Sequence, residues 1–243
     1  MNLNLIVPTC WQELTPKQLR YVYFLIAQGF SQTVVQTHCL CRWSGMEILG
    51  PEGDGYSVRH DYHVHHVNAT QLAEVLSHMS WLNRLPIVPL RLPEIQGCQA
   101  VAADLQGLTF ESYLVLENLY QGYLIKQDGK LLDEATPILY GKALELLPEE
   151  QISIFYWLST VKQYFARRWK HFFVNSNTSS QPQDIQEHLQ HQMDTQIRAL
   201  TKGDITKEKE VLSMDVHRAL TELDAQAKEY EELKRQTSNS TAL

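Results

Sequence analysis

The stretch PEEQISIFYWLSTVKQYFARRWKHFF, Pro148 to Phe173, constrains this chain most. Proline and two glutamates, Glu149 and Glu150, stand at its start, and Arg167, Arg168 and Lys170 at its end. Unpaired N–H groups at a helix start favour acids, and unpaired carbonyls at its end favour bases, so the run predicts one long helix of fixed direction. A helix this rich in aromatic residues must be covered by other elements, and the other segments are mostly helical too.

In ELTPKQLRYVYFLIAQGF, Thr15 is an N-cap and Pro16 fits the first helical position. Leu19, Val22, Tyr23 and Ile26 mark the apolar face, and Gly29 the stop. Ser31 caps a second helix through about Trp43, giving a helical hairpin. Asn68 caps a third, with Leu72, Val75, Leu76, Met79 and Leu82 on one side. Thr109 caps a fourth that is apolar on much of its circumference, through Phe110, Tyr113, Leu114, Leu116, Leu119, Tyr120 and Tyr123. DEATPILYG is a short helix that Gly141 ends. PIVPLRLPEIQG, with Pro86, Pro89 and Pro93, is extended connector. The turn cluster GPEGDG precedes YSVRHDYHVHHV, read either as one strand or as a hairpin with the segment before Gly50. The expected fold is therefore mainly α, with a small β element at about residues 45–67.

Composition shifts after residue 174. VNSNTSSQPQD is a polar linker, and beyond it aromatic residues vanish apart from Tyr230. Ile185, Leu189, Met193, Ile197 and Leu200 line one helical stripe, and Leu212, Val216, Ala219, Leu223, Ala227, Tyr230 and Leu233 another. The expected organisation is a helical core domain over 1–174, a linker over 175–183, a helical hairpin extension over 184–235 and a disordered tail over 236–243. Such stripes either fold back on their own core or dock on another chain, as helix-in-groove or coiled-coil contacts. The partner-binding candidates are Leu189, Met193, Ile197, Leu212, Val216 and Leu223.

The net charge of -7 disfavours general binding to phosphate backbones or anionic membranes. No apolar run of transmembrane length occurs, and the N-terminus lacks the pattern of a secretory signal. Cys10, Cys39, Cys41 and Cys98 form no CxxC motif, and a reduced, cytoplasmic compartment is the simpler expectation.

Three patches hold chemically versatile residues. RHDYHVHHV, Arg59 to Val67, contains four histidines. On a continuous strand Asp61, His63 and His65 share a face and offer imidazole and carboxylate ligands of the kind that suit zinc, nickel or iron. The same alternation makes them a wet strand face, with Tyr62 and Val64 turned inward. THCLCRW, Thr37 to Trp43, offers two cysteines and a histidine, but on a helix Cys39 and Cys41 point to different sides, as buried small hydrophobes would. ARRWKHFF interleaves bases and aromatics, which suits either nucleic acid or a helix C-terminus. Glu111 and Glu117 lie on different helix faces, and no GxGxxG, P-loop or GxSxG occurs.

ELTPKQLRYVYFLIAQG, GLTFESYLVLENLYQGYL and QIRALTKGDITKEKEVLSMDVHRALTEL resemble segments of uncharacterised bacterial prophage-type helical proteins that accompany tail or virion-assembly genes. The resemblance covers about half the chain and brings no catalytic motif. It implies an assembly role without a cofactor. The expected function is a non-enzymatic interaction protein whose C-terminal helices bind a protein partner or a second copy, cytoplasmic or incorporated into a particle. The rival expectation is a metal-dependent enzyme at Asp61, His63 and His65, and a further one is a nucleic-acid accessory protein using Arg167, Arg168 and Lys170.

Overall fold

The computed structural model describes residues 7–174 and 185–240, with side chains over 7–173 and 190–237. It is mainly α with a small β element, as expected, and it divides into two compact units. The first comprises residues up to Pro86 together with Leu146–Tyr156, and the second Ile87–Glu145 together with Trp157 onward.

In the first unit, α1 (Pro16–Ala27) begins in a capping box. The Thr15 hydroxyl accepts from the Gln18 N–H at 3.3 Å, and the Gln18 side chain accepts from the Thr15 N–H at 2.9 Å. Two donors without helical partners are satisfied there. Helix α2 (Gln32–Ser44) starts at Ser31, whose hydroxyl accepts from the Val34 N–H, and stops at Gly45 in the left-handed conformation. A three-stranded antiparallel meander follows, β1 (Glu47–Glu52), β2 (Gly55–His60) and β3 (His63–Asn68). Gly55 is required there, because a Cβ would lie 2.2 Å from the Val67 carbonyl oxygen. Helix α3 (Ala69–Ser77) grows directly from β3 through an Asn68–Gln71 capping box. The single helix expected to Leu82 stops early. A 3-10 turn over Ser80–Asn83 follows, and it buries Met79 and Leu82 while Leu72, Val75 and Leu76 stay half-exposed.

The core of this unit is aromatic. Trp11 meets the edge of Trp81 at 5.6 Å and lies against Tyr23 and Tyr156. Its indole N–H donates to the carbonyls of Trp81 at 3.1 Å and Arg84 at 2.8 Å, so the buried polar end is satisfied. Arg20 pairs at 2.7 Å with Glu150, a carboxylate only 2% exposed that also accepts from the Leu147 N–H. Removing Arg20 would leave a buried charge short of its partner.

The second unit opens with the short ribbon β4 (Glu94–Ile95) and β5 (Cys98–Gln99), the first strand inside the stretch expected to be plain connector and the second just after it. Then come α4 (Phe110–Lys126), α5 (Lys130–Asp133) and α6 (Thr136–Tyr140). Helix α7 (Pro148–Arg168) contributes residues 148–156 to the first unit and 157–168 to the second. The helix expected to run to Phe173 is interrupted at buried Trp169 and resumes as α8 (Lys170–Val174). Trp157 is fully buried, donates to the Ala103 carbonyl at 2.6 Å and meets the edge of Tyr140.

The C-terminal helices α9 (Ile185–Thr201), α10 (Glu208–Leu212) and α11 (Val216–Ser240) belong to this second unit. The compact units therefore do not follow the composition break into a 1–174 core and a 184–235 extension. The expected linker over 175–183 lies outside the described residues. Helix α11 extends to Ser240, so most of the tail expected to be disordered over 236–243 is helical, and residues 241–243 lie outside the description. Two backbone hydrogen bonds tie the start of α11 to the start of α4, Phe110 N–H to Met214 O at 2.7 Å and Val216 N–H to Leu108 O at 3.0 Å. Asp215 caps α11, accepting from the N–H groups of His217 at 2.9 Å and Arg218 at 3.3 Å, and its other oxygen accepts from the Gly107 N–H at 2.8 Å. Replacing Asp215 by Ala should lower the stability of the second unit by about 1–2 kcal/mol, the usual loss for a cap. Chemical denaturation of the full chain would measure it.

Candidate functional site

Three places gather the versatile residues. In the histidine-rich hairpin, the chain is not one strand. Asp61 and Tyr62 both take positive φ, 47° and 67°, and His60 pairs with His63 across them. This is a two-residue hairpin turn of the primed kind, whose twist matches the flanking strands. Two expectations change as a result. Tyr62 and Val64 do not turn inward: Tyr62 is 100% exposed at the turn and Val64 is exposed on β3. Asp61 leaves the face on which His63 and His65 lie, with ring centres 6.3 Å apart. The inward positions are Val58 and Val67. On the opposite face His66 lies 3.0 Å from Asp54 and near Glu52. Among the described residues, no group of three or more His, Cys, Asp or Glu side chains is placed to hold a metal ion.

THCLCRW lies on α2, which has one side buried and another along a cleft. Cys39 is fully buried, and desolvation pushes its thiol up to about 12. Cys41 is half-exposed, and burial raises its thiol too, against a smaller lowering by a backbone hydrogen bond. Cys41 opens on a cleft of about 450 Å³ between α1, α2 and β1, whose walls include Tyr21, His38, Arg42, Met46 and Ile48. The Arg42 guanidinium lies 4.4 Å over the Tyr21 ring. His38 stacks on Phe30 with ring centres 5.8 Å apart. The helical spacing of Thr37, His38, Cys41 and Arg42 was visible in the sequence as one face. Tyr21 and Ile48 join from other elements, and no local pattern marks them.

The C-terminal stripes are divided. Val216 is fully buried and Leu223 nearly so, beside Ala219 and Leu220. They are covered within the second unit and are not a free docking face. Leu212, Met193 and Ile197 are half-buried, and the Met193 sulfur accepts from the Asn118 side-chain N–H at 3.0 Å. The Leu189 side chain lies outside the described residues. What remains open is Ile205, 79% exposed, with Tyr230 at 66% and Leu233 at 62% on α11. Between α9 and the following turn, Ile197, Arg198, Thr201 and Ile205 border a second cleft of about 260 Å³.

The two arginines of the basic cluster at the end of α7 are engaged locally, and Lys170 is exposed. Arg167 donates to the Ile87 carbonyl, and Arg168 donates to the Tyr164 hydroxyl at 3.0 Å and lies over the Trp169 ring. Glu117 pairs with Lys162, which lies over Tyr120. No helix among the described residues is long and apolar enough to cross a membrane.

No family model, curated protein or solved structure matches this chain. For the thiols, a raised pKa means less thiolate at a given pH, and the thiolate is the nucleophile. Cys39 should be the last of the four cysteines to be alkylated in the native protein at mildly alkaline pH, and peptide mass spectrometry would order them.

Proposed function

We propose that this protein is a non-enzymatic interaction protein that helps to assemble a larger structure, using the outward side of its C-terminal helices. The observation that carries the reading is the exposure of Tyr230 and Leu233, three residues apart on one face of the otherwise polar second half of α11. Large side chains exposed side by side on a polar helix are the pattern of a helix that anchors in a partner's groove. Exposed Ile205 and half-buried Ile197 add apolar surface on the same set of C-terminal elements. Residues 196–223 resemble segments of uncharacterised prophage-type helical proteins of the kind associated with tail or virion assembly, which fits the same role. Four cysteines without a disulfide among the described residues suit a reducing, cytoplasmic setting before incorporation into a particle.

Cutting the chain near residue 180 is a poor test, because it also strips Val216, Leu220 and Leu223 from the core of the second unit. Substituting Tyr230→Ser and Leu233→Ser together is the better one. Both residues are exposed, so the unfolding free energy should stay within about 0.5 kcal/mol of the parent. Self-association, measured by sedimentation, or capture of the assembly partner should fall by about tenfold or more, as loss of interface anchors does. Unchanged self-association and unchanged capture would contradict the proposal.

A further inference from the structure

We propose that the cleft between α1, α2 and β1 binds a small organic carboxylate with an apolar or aromatic body, held at its charged end by Arg42. This goes beyond the assembly role and involves the other unit. Four observations carry it. First, the cleft of about 450 Å³ falls within the usual range of roughly 300–1,000 Å³ for small-molecule sites. Second, its floor is apolar, with buried Met46 beside Ile48. Third, the Arg42 guanidinium lies 4.4 Å over the Tyr21 ring, a cation–π contact that does not consume its N–H donors, and a guanidinium can meet a carboxylate with two of them at once. Among the described residues no carboxylate lies within ion-pair distance of Arg42.

Fourth, the neighbouring charges favour an anion. The acid in the lining, Glu47, is paired with Arg59 at 2.8 Å. His38, held by Phe30, adds an N–H at the mouth. Burial raises the Cys41 thiol, so at neutral pH it is a neutral wall that does not repel a carboxylate. The apolar floor then takes the hydrocarbon body, and burial of that body adds to the charged contact.

Cys41 supplies the readout, with Cys10 and Cys98 in the same molecule as controls. In the full-length protein, 4-phenylbutyrate should protect Cys41 saturably from alkylation by neutral iodoacetamide, leaving Cys10 and Cys98 unaffected. The corresponding neutral alcohol, 4-phenylbutanol, should protect at least about tenfold more weakly, the factor expected of one charge-assisted hydrogen bond. Arg42→Gln should abolish the preference for the acid, and Arg42→Lys, which keeps charge but not the fork, should retain part of it. Because Arg42 is exposed, both variants should keep the parent circular dichroism and unfolding midpoint. Three results would each overturn the proposal: no protection by the acid, equal protection by the alcohol, or an acid preference that survives Arg42→Gln in a folded variant.

Discussion

The placement of α11 in the second unit depends on the tie between the start of α4 and the start of α11. Two backbone hydrogen bonds join the segments, and the Asp215 carboxylate bridges them by accepting from Gly107 on one side and from its own helix on the other. Two residues onward, His217 lies edge-on to Phe165 at 5.6 Å and Trp169 at 5.2 Å, with its Nε2–H donating to the Asp104 carbonyl at 2.8 Å. A cap, a short backbone pairing and a ring cluster thus converge within three residues. They fix where α11 begins and which of its faces turns inward.

The rest of α11 follows from that placement. Val216, Ala219, Leu220 and Leu223 complete the buried side, and burying each of the larger three is worth about 1.5–3 kcal/mol. Trp169 donates to the Thr221 hydroxyl at 3.1 Å, the Phe172 N–H donates to Asp224 at 3.0 Å, and His171 meets Glu231 at 3.1 Å, so α8 guides the helix over several turns. Near the end of this guided length the large apolar side chains that remain, Tyr230 and Leu233, face solvent. The buried side chains of α11 thus lie in its first half, and its exposed large apolar side chains in its second.

Local chemistry was legible in the sequence wherever the signal is local. Thr15, Ser31, Asn68 and Thr109 cap the helices they were expected to cap, and Gly29, Gly45 and Gly141 take the positive φ of stop positions. What stayed hidden was non-local. The turn at Asp61–Tyr62 carries no glycine or asparagine, so nothing distinguished it from a strand interior, and the face assigned to Asp61 and Tyr62 changed with it. The tail's lack of aromatic residues looked like a domain boundary. It reflects a helix that needs only small and aliphatic side chains, because Phe165, Trp169 and Phe110 supply the volume from the opposing elements. The cleft beside Cys41 was half legible. The face of α2 was readable, whereas the arrival of Tyr21 over Arg42 depends on how α1 and α2 meet.

Helix α11 is a structural member of the second unit. Native-state hydrogen exchange on the full-length protein tests this most directly, at the amides of Phe110 and Val216. If the claim is right, both exchange only through global unfolding of that unit, with the same free energy as the buried amides of α4 and the second half of α7. If Val216 and the first turns of α11 exchange through a separate, lower-energy opening while α4 stays protected, the C-terminal helix is an appendage and the account fails.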